Sequence, residues 1–126
     1  MNDSNQGGMS QEAADIFARG LYALANVDGI EAREERLIKE FISESGAETK
    51  WEELCASTFD PLEAAQVLET TWHRRMFVKA AIALVKADGN YSDAERTAIG
   101  RIADAFGLSN AEFGELEQQA ARERLE

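Results

Sequence analysis

Twice in this chain an apolar run ends in Asp-Gly and a charged, helix-like run begins: "ANVDGIEAREERLIKE" and "VKADGNYSDAERTAIG". Asp28-Gly29 and Asp88-Gly89 stand 88 − 28 = 60 positions apart, and a glutamate, Glu35 or Glu95, follows each glycine by six residues. Glycine after an apolar helical run stops the helix, because it enters the left-handed region at no steric cost. The spacing predicts a helix, a tight turn and a second helix in each copy, with Phe17 matching Phe77 and Leu24 matching Leu84. Neither hairpin buries its apolar face alone, so the two pack against each other as an antiparallel bundle with the middle helices as crossover.

The helices between these landmarks follow from period and caps. Ser10 opens the first, which runs to about Val27 and places Ile16, Phe17, Leu21, Leu24 and Ala25 on one stripe. A second covers Ala32 to Ser45 with Leu37, Ile38, Phe41 and Ile42 inward, and Gly46 stops it. "AETKWEELCAST" predicts a helix of about two to three turns, with Trp51, Leu54 and Cys55 inward. Asp60-Pro61 is a helix start, aspartate as N-cap and proline at the first helical position, leading into Leu62, Ala65, Val67 and Leu68.

A long apolar helix from Trp72 to Ala87 reads as the centre of the bundle. Ser92 opens the next, Asp93 to Phe106, which Gly107 ends; Ser109 caps a last helix bearing Phe113 and Leu116. The expectation is an all-α bundle of about seven helices. Residues 1–9 read as a flexible N-terminus and residues 10–126 as a single domain. No segment shows the alternation of a strand.

Charge narrows the partners. Thirteen basic residues against 24 acidic ones give a formal net charge of −11, a field that repels nucleic acid and anionic membranes and favours cations and basic protein surfaces. Cys55 is the only cysteine, which rules out an internal disulfide or a thiolate cluster. With no signal peptide and no spanning helix in this sequence, the expected location is the cytoplasm, with no membrane insertion.

Glycine six residues before glutamate also describes part of an EF-hand calcium loop, but that register puts Leu24 or Leu84 at the first ligand position and Lys86 at the third. Leucine cannot ligate a hard cation, and an EF-hand is rejected. What survives is a cluster of oxygens at each corner: Asp28, Glu31, Glu34 and Glu35 in one, Asp88, Asn90, Ser92, Asp93 and Glu95 in the other. Crowded carboxylates repel unless a cation, an arginine or backbone donors offset them. The competing reading is capping. "SDAE", Ser92 to Glu95, is a capping box that needs no metal. The first copy has Ala32 where the second has Ser92, which leaves Glu35 without such a partner.

The two motifs "NVDGIEAREE" and "KADGNYSDAE" resemble those of the TerB-like family of tellurite-resistance proteins, and are similar to the N-terminal region of DjlA-type co-chaperones. The resemblance covers about Ser10 to Leu116. It implies a compact all-α bundle in the bacterial cytoplasm, a link to stress responses and no enzymatic reaction. It also implies a divalent-cation site, calcium or magnesium, at Asp28 with Glu35 and Asp88 with Glu95, with Glu31 and Asp93 as further candidates.

Elsewhere, the one basic spot is "TWHRRM". Trp72, His73, Arg74 and Arg75 either dock an acidic partner or pair within this acidic chain, and in-chain ion pairs are favoured. Cys55 reads as a small buried apolar residue. No phosphate loop, zinc ligand set or nucleophile elbow is present, so no enzyme is expected. The leading expectation is a non-enzymatic, cation-binding interaction module acting through an unidentified protein partner; the alternative is a metal-free helical adaptor whose corners only cap helices.

Overall fold

A computed structural model describes residues 10–86 and 91–122. Among them every regular element is helical: α1 (Gln11–Ala25), α2 (Ala32–Ser45), α3 (Trp51–Cys55), α4 (Pro61–Val67), α5 (Thr71–Val85), α6 (Asp93–Ala105) and α7 (Asn110–Arg122), with a 3-10 turn at Asn26–Asp28.

The caps are where local chemistry puts them. Ser10 Oγ accepts the Ala13 N–H at 3.1 Å, and Asp60 Oδ1 accepts the Leu62 N–H at 3.1 Å ahead of Pro61. Thr70 Oγ1 accepts the His73 N–H at 3.1 Å, so α5 begins a residue before the expected Trp72. Gly46 and Gly107 end α2 and α6 with φ of 76° and 81°, a left-handed conformation that a side chain would strain.

Two expectations need correction. α3 has five residues, less than two turns, because Lys50 caps it only at Trp51 and Ala56 closes it. Leu54 is fully buried there, but Cys55 is exposed: one residue further along a helix is turned by about 100°, and a helix this short buries only one edge.

The packing follows the repeat. α1 and α5 lie against each other, α2 packs on α1, α6 on α5, and α7 along α5. Phe77 is at the centre, fully buried, with Phe17 edge-on at 5.0 Å, Phe59 stacked at 5.9 Å and Phe106 edge-on at 5.9 Å. Phe17 in turn stacks on Phe41 at 4.9 Å. Such aromatic pairs add about 0.5–1.5 kcal/mol each beyond their buried area. The close approach of α1 requires Gly20: a Cβ there would stand 2.6 Å from Phe77 Cζ and 2.8 Å from Phe59 Cε1.

Candidate functional site: two helix corners

The repeat has a step in it. α1 and α5 superpose in sequence at an offset of 71 − 11 = 60, but α2 and α6 at 93 − 32 = 61. The extra residue lies in the second corner: three positions separate Asp28 from the N-cap Glu31, and four separate Asp88 from the N-cap Ser92. Beyond the corner the offset of 61 holds, with Ile38 and Ile99 both fully buried and Gly46 and Gly107 both left-handed.

The counterpart of Glu95 is therefore Glu34, one residue before the expected Glu35. Glu34 Oε1 accepts the Glu31 N–H at 3.0 Å, and Glu95 Oε1 accepts the Ser92 N–H at 3.0 Å. Each sits at the third position of its helix, and they are the buried charged residues of the core, 1% and 5% exposed. Carboxylates at such depth are tolerated because helix N-termini supply donors and a favourable dipole. Glu35 faces elsewhere. Its carboxylate pairs with Lys39 at 2.8 Å, and the Lys39 ammonium lies 5.0 Å over the Trp51 ring. Glu35 has no capping partner, as expected, but the first corner is capped all the same: Glu31, not Ala32, is the N-cap, and Glu34 completes the box.

Of the remaining corner candidates, Glu31 and Asp93 are exposed at the starts of α2 and α6. Asp28 ends the 3-10 turn, and only its backbone is described; Asp88 lies outside the described residues. Gly29, with φ 85°, donates its N–H to Asn26 O at 3.3 Å and swings the chain into α2. The 3-10 turn packs against α6, so the first corner lies beside the helix that carries Glu95. Divalent hard cations ask for six or more oxygens. Among the described residues no group of three His, Cys, Asp or Glu side chains is placed to hold a metal.

After the second corner a polar clasp fixes α6 to α7. Tyr91 Oη donates to Glu117 Oε2 at 2.9 Å, and Arg96 holds the same carboxylate with Nε at 2.7 Å and Nη2 at 3.1 Å. The Arg96 hydrogen bonds hold the Glu117 carboxyl below the usual range, while burial, then the bond to Glu117, pushes the Tyr91 phenol up. At the start of α7 Ser109 and Glu112 form another reciprocal cap, whose backbone donor lowers the Glu112 carboxyl.

The basic spot is used within the chain. Arg75 reaches Glu112 at 3.3 Å and Glu115 at 3.2 Å on α7. Arg74 donates to backbone carbonyls instead: Leu68 O at 2.6 Å, Phe106 O at 3.3 Å and Ala65 O. It thereby satisfies the carbonyl ends of both α4 and α6, a role invisible in the sequence because the two ends meet only in the fold. His73 bonds Thr70 Oγ1 through Nδ1 at 2.8 Å, and among the described residues its Nε2 has no partner. A groove of about 770 Å³ between α6 and α7 mixes Arg96 and Arg101 with Asp93 and Asp104, and no His or Cys is among the described residues that line it.

A family model described as "Tellurite resistance protein TerB" matches residues 15–118, which takes in both corners, α2 to α6 whole and most of α1 and α7. No curated protein and no solved structure matches the chain. No helix of the described residues is long and apolar enough to cross a membrane.

Proposed function

This chain belongs to the TerB family, and from that membership we propose that it is a non-catalytic helical module that binds a divalent cation at its Asp-Gly corners and acts as an interaction protein in a tellurite or stress response. The observation that carries the reading is the pair of buried glutamates, Glu34 and Glu95, each at the third position of the helix that follows an Asp-Gly pair in the sequence. Asp28 and Asp88 supply the second carboxylate of each corner, with exposed Glu31 and Asp93 as outer ligands. Calcium or magnesium suits an all-oxygen set. The cation offsets the repulsion between carboxylates and draws the corners together, fixing the pose of one hairpin on the other.

The capping hydrogen bonds favour a second reading. Each buried glutamate already serves its own N-cap, and a metal-free adaptor would retain them for that alone.

Calorimetric titration of chelator-treated protein with calcium, then magnesium, manganese and zinc, separates the two. Saturable binding at one or two sites, abolished by Asp28→Asn with Asp88→Asn in a variant that still melts cooperatively, supports the cation module. Absence of binding to all four ions leaves the corners as caps.

A further inference from the structure

The repeat pairs α1 with α5 and α2 with α6, so the seam between α2 and α5 is the sister of the seam between α6 and α1. The two seams are finished differently. α4 lies across the α1–α6 seam and packs on both helices, burying Ala64 and Leu68. Phe59, just ahead of α4, lies against Gly20. On the sister side, the described residues leave a cleft of about 190 Å³, where Leu37, Phe41, Ala80 and Leu84, with Leu21 of α1, form the apolar lining and Glu40 and Glu44 the rim. Ala80 is the sister of Gly20, at 80 − 20 = 60, so the surface that α4 and Phe59 cover in one copy is open in the other among the described residues.

The cleft's size and charge select the occupant. Its volume falls below the roughly 300–1,000 Å³ of small-molecule pockets, and matches an anchoring aliphatic side chain on a helix. Glu40 and Glu44 are exposed, one helical turn apart, and neither forms an ion pair among the described residues. Like charges at that spacing repel each other and favour a cation beside them.

We propose that the α2–α5 cleft docks a short amphipathic helix of a partner protein, one that inserts a leucine-sized anchor between Leu37 and Leu84 and sets lysine or arginine against Glu40 and Glu44. The site uses none of the corner residues, so it goes beyond the cation reading and stands without it.

The test is fluorescence anisotropy of a labelled peptide of about 16 residues, with leucines on one stripe and lysines flanking it, long enough to hold a helix when bound. It is titrated in the presence of chelator, with the full chain. The expected result is saturable one-to-one binding, weakened by about tenfold or more by Glu40→Lys with Glu44→Lys, and also by Ala80→Trp, which fills the cleft. The double reversal changes two exposed residues, so its thermal melt matches the parent. Glu63→Lys with Glu69→Lys, an equal charge change on the α4 side, leaves binding within about twofold. Equal loss in that control would reduce the effect to net charge and overturn the proposal, as would no binding of the peptide at millimolar concentration. Self-association of the protein that Glu40→Lys with Glu44→Lys abolishes would identify the cover as a second copy, and overturn it as well.

Discussion

Glu34 and Glu95 are one position written twice: the third residue of the helix after each corner, buried, with Oε1 on the N–H of its own N-cap at 3.0 Å in both copies. Glu34→Ala should therefore cost about 1–3 kcal/mol in urea denaturation, since it strips the N-cap N–H of its acceptor. Glu35→Ala removes only an exposed ion pair with Lys39 and should stay within about 0.5 kcal/mol. In calorimetry Glu34→Gln should lower divalent-cation affinity more than Glu35→Gln. The reverse order would return the first corner to Glu35.

Gly20→Ala sets helix propensity against space. Alanine gains about 1 kcal/mol in a helix interior, but its Cβ would meet the Phe77 and Phe59 rings at 2.6–2.8 Å. Both rings are locked in the aromatic cluster, so the overlap should dominate, with a net loss of about 1–3 kcal/mol measured by thermal or chemical unfolding.

The two arginines of the basic spot should separate sharply. Arg74→Met leaves carbonyls of α4 and α6 without their donor and should cost about 2–4 kcal/mol. Arg75→Met breaks partly exposed ion pairs to Glu112 and Glu115 and should cost about 1 kcal/mol or less.

Stability should bend at both ends of the pH scale through the Tyr91–Glu117–Arg96 clasp. The folded Glu117 carboxyl lies below its ordinary 4.5, so its contribution is complete above that value and is lost as pH falls through the folded one. The Tyr91 phenol is raised above its ordinary 10.0, so its contribution is complete below pH 10 and declines as pH rises beyond it. Glu117→Gln should flatten the acid limb of a stability profile, and Tyr91→Phe the alkaline limb.

Exposed Cys55 should react with a disulfide reagent, one thiol per chain, without denaturant. A wait for unfolding before reaction would put it back in the core.

What the sequence disclosed was whatever a short stretch decides by itself. Ser10, Asp60-Pro61, Ser92, Gly46 and Gly107 act on their own helix ends, and the structure has them at those ends. Features set by distant chain were hidden. Arg74 reads as a surface charge until α4 and α6 bring their carbonyls to it, and Gly20 as an ordinary helix residue until Phe77 closes on it. Cys55 reads as buried only if the helical period extends past the length that α3 attains. Counted from the glycine, Glu35 is the match of Glu95, whereas burial is counted from the N-cap and selects Glu34; the two counts part by the one residue that the second corner holds in excess.

That added residue sets a rule for how such a chain can change length. Inserted within α2 or α6 it would rotate everything downstream by about 100° and carry Ile38 or Ile99 out to water. Inserted between Asp-Gly and the N-cap it alters only the path of the loop, and every later helical phase is preserved. Insertions and deletions separating this chain from its kin should therefore accumulate at the corners, leaving the spacing from N-cap to buried glutamate untouched.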